Sequence, residues 1–113
     1  MIESAPSPEV RIHTKAEVVA LIGRYAEAGI VTGERSDELG LAFLEVQQKG
    51  SEEGHIISYI YYRAKPGDAK RSSIMRVEML NGEYVTGHTF LEYDEAKGVW
   101  YKPGAEAPKA AGK

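Results

Sequence analysis

The chain has 113 residues, with 14 lysine and arginine against 17 aspartate and glutamate residues, and a formal net charge of −3. That length suits one domain, and the charge offers no global positive field to attract nucleic acid or an anionic membrane. The chain has no cysteine, which excludes disulfides, thiolate metal sites and cysteine nucleophiles, and it has no apolar run long enough for a membrane helix. We therefore expect a soluble, cytoplasmic protein.

Both ends of the chain are rich in proline, alanine and small polar residues. Such segments bury too little apolar surface to offset the entropy lost on ordering. We predict a flexible N-terminal arm over residues 1–12, a single α+β domain over residues 13–102, and a flexible C-terminal tail over residues 103–113.

A helix is predicted to begin at Thr14, because Thr14 and Glu17 have the spacing of a capping box. The apolar residues that follow recur at helical spacing and would form one buried stripe: Val18, Val19, Ile22, Tyr25 and Ala26. Gly29 is the predicted end of this helix.

A second helix is predicted from Ser36, a candidate N-cap, to the lysine before Gly50. Its buried stripe would be Leu39, Ala42, Phe43 and Val46. Gly40 weakens this helix, and residues 37–49 are ambiguous between helix and strand. A strand over residues 41–47 is the main alternative.

The remainder of the chain is rich in isoleucine, tyrosine, valine and threonine between turn residues, which is typical of strands. Strands are predicted over residues 55–63, 73–80, 83–93 and 98–102. Asn81 and Gly82 provide the two positive-φ residues of a tight hairpin turn. The fold class is therefore α+β, with one or two N-terminal helices packed on one face of a four-stranded antiparallel β-meander.

A two-residue hairpin turn fixes which strand residues face each other. Leu80 should pair with Glu83, and the next pairs should be Met79 with Tyr84, Val77 with Thr86, and Met75 with His88. We expect the core face to carry Met75, Val77, Met79, Tyr84, Thr86, His88 and Phe90, and the other face to carry Ile74, Arg76, Glu78, Leu80, Val85, Leu91 and Tyr93.

The segment HIISYIYYR, residues 55–63, is apolar on both sides. Ile56 and Ile60 are assigned to the core, and Ile57, Tyr59 and Tyr61 to the outside, although the reverse is compatible with the pattern. One or two helices can cover only one face of the sheet. We therefore expect a second face that is partly apolar and uncovered.

No catalytic or ligand motif stands out. The sequence has no HExxH, no GxSxG and no phosphate-binding glycine loop, and His13, His55 and His88 are not at metal-ligand spacing. We predict no catalytic residue, no metal and no cofactor, and an enzyme is the less favoured interpretation.

The first functional hypothesis is a noncatalytic interaction domain that homodimerises or binds a protein partner through the open sheet face. Tyrosine and arginine dominate interface hot spots. The residues expected to contact the partner are Tyr59, Tyr61, Arg63, Arg76 and Tyr93. No membrane partner is expected.

Two alternatives remain open. One is a small ligand binder or enzyme with a pocket between the helices and a curved sheet, near His88 and Tyr84. The other is a weak nucleic-acid module that uses the segment from Arg63 to Arg76, which holds five basic residues and one aspartate. The negative net charge argues against nucleic acid as the partner.

Overall fold

The computed structural model describes residues 11–65 and 71–103. The predicted arm and tail lie almost entirely outside these residues. The described elements are the helices α1 (Lys15–Ile22) and α2 (Arg24–Glu27) and the strands β1 (Ile30–Asp37), β2 (Gly40–Lys49), β3 (His55–Tyr62), β4 (Ser73–Leu80), β5 (Glu83–Asp94) and β6 (Val99–Tyr101). In these residues no helix is long and apolar enough to cross a membrane.

The strands form one antiparallel sheet in which each strand pairs with the next along the chain, in the order β1 to β6. The prediction of a four-stranded meander is wrong, because the sheet has six strands. The α+β class is right only in part, since both helices are short and most of the described chain is sheet.

The start of α1 follows the predicted capping box. The Glu17 backbone N–H donates to Thr14 Oγ1 at 3.1 Å, and the Thr14 N–H donates to Glu17 Oε1 at 2.8 Å. The helix ends at Ile22 and not at Gly29, because Gly23 adopts a φ of 73° that breaks the helical path. Val18 and Ile22 are its buried residues.

The predicted second helix is wrong, and the alternative strand is confirmed as β2. Gly40 has a φ of 132°, which no helical residue adopts. Asp37 instead closes the turn between β1 and β2, where its Oδ1 accepts from the Leu39 N–H at 2.9 Å. Leu44 and Val46 are buried at the two-residue period of a strand.

The β4–β5 hairpin has the predicted turn, with positive φ at Asn81 and Gly82. The pairs Leu80 with Glu83 and Met79 with Tyr84 are confirmed. A bulge at Glu78/Met79 then shifts the register, so Val77 pairs with Gly87 and Met75 with Thr89. The predicted pairs Val77 with Thr86 and Met75 with His88 are wrong for this reason.

The assignment of the two sheet faces is reversed relative to the expectation. Tyr59 and Tyr61 are 2% and 0% exposed and pack with Val18 and Ile22 of α1, whereas Ile56 is 37% exposed on the opposite face. The side that α1 packs on, here called the covered face, carries Leu44, Val46, Ile57, Tyr59, Tyr61, Ile74 and Tyr93. The tyrosines can be buried because their hydroxyls find partners inside the protein.

Candidate interaction surface

The opposite side of the sheet, here called the open face, presents side chains from β2, β3 and β4 in regular rows. The strand register places four rows across these strands: Phe43, Tyr62 and Ser73; Glu45, Ile60 and Met75; Gln47, Ser58 and Val77; and Lys49, Ile56 and Met79. Met75, Val77 and Met79, expected in the core, therefore lie on the open face.

An apolar patch occupies the middle of the open face. It consists of Phe43, Ile56, Ile60, Tyr62, Met75, Val77 and Met79, each at least partly exposed. Tyr62 is 45% exposed, and its ring lies 5.5 Å from that of Phe43. Among the described residues the hydrophobic core and the side chains packed against it include none of these seven. A contiguous apolar surface of this kind is typical of an interaction site.

Polar groups border the apolar patch on the β2 side. Glu45, Gln47 and Lys49 alternate with the buried residues of β2, and Gln47 Nε2 donates to Glu45 Oε2 at 3.4 Å. The guanidinium of Arg35 lies 5.2 Å from the centre of the Phe43 ring at this edge. A polar rim around an apolar centre is the usual anatomy of a protein interface.

A charged cluster borders the other side, where β5 meets β6. Arg71 Nη1 donates to the Tyr101 hydroxyl at 2.6 Å, and that hydroxyl donates to the Glu92 carboxylate. The neighbouring carboxylate of Glu92 raises the pKa of Tyr101. The Tyr101 hydroxyl therefore remains protonated at neutral pH and can serve as a donor in this cluster.

The structure places the predicted contact tyrosines on the covered face. Tyr59, Tyr61 and Tyr93 are buried there, so the expected outward orientation of Tyr59 and Tyr61 is wrong. The reason is that the strand pattern is apolar on both sides, while α1 covers only one of them. Whether these tyrosines contact a partner stays a prediction.

The two predicted contact arginines are bonded within the chain. Arg63 has a side chain that is only 2% exposed, and its guanidinium binds the Asp37 carboxylate through both terminal nitrogens, with Nη1 to Oδ1 at 2.9 Å. These bonds hold the pKa of Asp37 far below its usual value. Arg76 Nε donates to the Tyr59 hydroxyl at 3.2 Å, and its Nη1 donates to Glu78 Oε1 at 3.0 Å.

Glu78 also links Arg76 to the start of β3. His55 Nε2 lies 2.9 Å from Glu78 Oε2, while the other oxygen of this carboxylate accepts from Arg76. The bonds from Arg76 and then from His55 lower the pKa of Glu78. Glu78 therefore links His55 and Arg76 within the chain, and these bonds satisfy its two carboxylate oxygens.

The two alternative sites have no geometric support in the described residues. Tyr84 is 66% exposed, His88 is also exposed, and neither lines the larger cavities described among these residues, which lie beside Ile56, Tyr101 and Trp100. The arginines described in the basic segment, Arg63, Arg71 and Arg76, each lie within 4 Å of a carboxylate oxygen, whereas residues 66–70 of that segment lie outside the described residues. Both alternatives stay predictions.

The described residues contain no group of three or more histidine, aspartate or glutamate side chains that could hold a metal ion.

The sequence analysis does not identify the open-face residues, because it predicts a helix where the structure has β2. Its alternation of Phe43, Glu45 and Gln47 with Leu44 and Val46 identifies which side faces solvent, and strand pairing carries that orientation across the sheet. No protein-family model, no curated protein and no solved structure matches this chain.

Proposed function

We propose that the protein is a noncatalytic interaction domain that forms a homodimer through the open face, with the cytoplasm as its location. The observation that supports this proposal is the apolar patch, which lies outside the core on the side of the sheet opposite α1. Burial of such a surface is favourable, and twofold symmetric dimers are the commonest soluble assemblies.

The rows of the open face are self-complementary. A twofold axis that runs across the strands, along the row of Gln47, Ser58 and Val77, places each strand against the same strand of a second copy in the opposite direction. A residue one row before the axis then faces the residue of the other copy that lies one row after it. Glu45 of one copy then lies opposite Lys49 of the other, so opposite charges meet at the rim. Complementary charges of this kind favour one docking orientation and raise the association rate.

The same axis aligns apolar groups in the centre of the interface. Ile60 of one copy faces Ile56 of the other, and Met75 faces Met79, because these residues lie one row on either side of the axis. The paired sheets would pack about 10 Å apart with their strands roughly aligned, as in a β-sandwich. The patch then becomes the centre of a second core.

The size of the patch indicates a weak dimer. Three strands about 4.8 Å apart and about 7 residues long at 3.3 Å per residue give a flat area of about 300 Å² per copy. A standard interface buries about 800 Å² per partner, so the polar rims must contribute. At about 25 cal/mol per Å², burial of about 600 Å² over the two copies gives a gross gain of about 15 kcal/mol, which the upper value of the association cost, about 15 kcal/mol, would cancel. We expect a dissociation constant in the micromolar range or weaker.

Sedimentation velocity over a concentration series from about 10 μM to 1 mM tests the proposal. The wild type should shift from monomer to dimer, whereas Ile60→Lys should weaken association at least tenfold, because it places a charge in the interface centre. Leu39→Lys is the matched control, since Leu39 is 47% exposed in the turn between β1 and β2, outside the patch. A wild type that is monomeric throughout, or equal loss in both variants, would overturn the proposal.

A further inference from the structure

Three aromatic rings on the covered face form a row that begins at α2. The rings of Tyr25 and Tyr59 are stacked with their centres 5.4 Å apart, and the ring of Phe90 meets that of Tyr59 edge-on at 5.1 Å. Tyr59 is buried in the middle of the row, whereas Tyr25 and Phe90 at its two ends are only partly buried. These contacts join α2 to β3 and β5 and give a fixed base to the side chains around them.

A cation lies against the ring at each end of this row. The guanidinium carbon of Arg24 lies 5.3 Å from the centre of the Tyr25 ring, and Lys102 Nζ lies 5.6 Å from the centre of the Phe90 ring. Both cations belong to exposed residues. Contacts between cations and rings are favourable and restrict long side chains, so the two charges are held in place before a ligand binds.

Arg76 provides a third cation, and one of its nitrogens is accessible. Nε donates to the Tyr59 hydroxyl at 3.2 Å and Nη1 donates to Glu78 Oε1 at 3.0 Å, which leaves Nη2 without a partner among the described residues. In this part of the chain the one buried side-chain nitrogen or oxygen without a partner is His13 Nε2, so Nη2 of Arg76 must reach solvent. The Arg76 side chain is 25% exposed, and its Nη2 can donate hydrogen bonds to a ligand.

The charges of Arg24, Arg76 and Lys102, here called the cationic row, are only partly neutralised. Among residues 11–65 and 71–103, neither Arg24 nor Lys102 has a carboxylate oxygen within 4 Å. Glu78 compensates one of the three charges, through Arg76, so two positive charges remain in a chain whose net charge is −3. The guanidinium of Arg24, and then the charges of the other two residues, lower the pKa of Tyr25, as expected if all three cations act on one place.

We propose that the cationic row binds the diphosphate group of a small molecule. Guanidinium and ammonium groups form strong, charge-assisted hydrogen bonds with phosphate oxygens. A single carboxylate carries one charge and two oxygens, and could not compensate both remaining charges. Because the cations lie at the two ends and in the middle of the row of rings, they match two linked phosphates better than one.

Titration of the full-length, isotope-labelled protein with inorganic pyrophosphate, followed by NMR in about 20 mM salt, tests this proposal, since higher salt screens exposed charges. The amide resonances of Tyr25, Arg76 and Lys102 should shift saturably. Three charge-assisted hydrogen bonds correspond to a dissociation constant of about 1 mM or below. Inorganic phosphate, which has one phosphate group, and triglutamate, which carries its charges on a flexible peptide, should each bind at least about threefold more weakly.

Removal of one cation at a time identifies the site. Arg24→Gln and Lys102→Gln should each weaken pyrophosphate binding about threefold to tenfold, the range of one exposed charge-assisted contact. Both residues are exposed and form no salt bridge in the described part of the chain, so both variants should fold.

Each variant has a matched control elsewhere on the surface. Arg35→Gln matches Arg24→Gln, because Arg35 is also exposed and its guanidinium carbon lies 5.2 Å from the centre of a ring, that of Phe43 on the open face. Lys97→Gln matches Lys102→Gln, since Lys97 is exposed in the turn between β5 and β6. Each control removes the same charge from the protein and should weaken binding by less than about twofold.

Four results would overturn the proposal: no saturable shift with pyrophosphate up to about 20 mM, shifts confined to the open face, phosphate or triglutamate that binds as tightly as pyrophosphate, or equal losses in the variants and their controls. These outcomes are independent of the proposed dimer, because the cationic row lies on the covered face and the dimer contact on the open face.

Discussion

Replacement of His13 by phenylalanine should stabilise the protein. Nε2 is buried without a partner among the described residues, and an unsatisfied group of this kind costs about 1 to 3 kcal/mol. Phenylalanine keeps the ring contacts with Tyr93 and Trp100 but loses the long contact to the Tyr61 hydroxyl. The gain and this loss together give an expected increase of about 1 kcal/mol in the free energy of unfolding.

The stability gain should grow as the pH falls. Burial, and then the charge of Arg11, holds the pKa of His13 below 6.5 in the folded protein, so below pH 6.5 the unfolded chain binds a proton that the folded protein excludes. Wild-type stability then falls by up to about 1.4 kcal/mol for each pH unit between the two pKa values, whereas His13→Phe lacks this contribution.

Urea unfolding at pH 7.5 and pH 5.0, followed by circular dichroism, measures both effects. His88→Phe is the control, because His88 is exposed and its replacement should leave stability within about 0.5 kcal/mol. A His13→Phe protein that is less stable than the wild type at both pH values would refute the reasoning, since it would show that the histidine is satisfied where it lies.

Other substitutions test the packing and the ion pair. Ile74→Ala should lower the free energy of unfolding by about 2 to 5 kcal/mol in urea, because Ile74 is 0% exposed in the core. Val85→Ala is the control and should lower it little, since Val85 is 55% exposed. Equal losses in the two variants would contradict the assignment of the covered face. Gly50→Ala should destabilise the β2–β3 connection, since its Cβ would lie 1.9 Å from His55 Nδ1, and hydrogen exchange that is unchanged at His55 would argue against that geometry. Asp37→Asn should lower stability at pH 7, because it leaves the buried guanidinium of Arg63 without its carboxylate. The depressed pKa of Asp37 means that the wild type loses this advantage progressively as the pH falls below 3.8, so a difference in unfolding free energy that stays constant down to pH 2 would contradict the role of the pair.

Structural features that depend only on residues close together in the sequence were predicted correctly. The capping box of Thr14 and Glu17 and the turn at Asn81 and Gly82 each need only backbone groups within a few positions. The predicted second helix is wrong because Ser36, its candidate N-cap, lies in β1. Asp37, at the end of β1, binds Arg63, which directly follows β3. No pattern within either segment reveals this contact.

The orientation of the sheet could not be obtained from β3 alone. Ile56 and Ile60 on one side, and Ile57, Tyr59 and Tyr61 on the other, are equally compatible with a core. The choice depends on where the tyrosine hydroxyls find partners, and His13 and Arg76 provide these only in the folded protein. The expectation of one uncovered face agrees with the described residues, but the side chains that form it could be identified only from the register with β2.

Intermolecular contacts in a mixed sample test the proposed dimer most directly. A sample of isotope-labelled and unlabelled protein at about 1 mM should show nuclear Overhauser effects between the Ile60 methyl groups of one copy and the Ile56 methyl groups of the other, because the proposed twofold axis places them face to face. No intermolecular effect at this concentration, or effects confined to the covered face or the sheet edges, would contradict association through the open face.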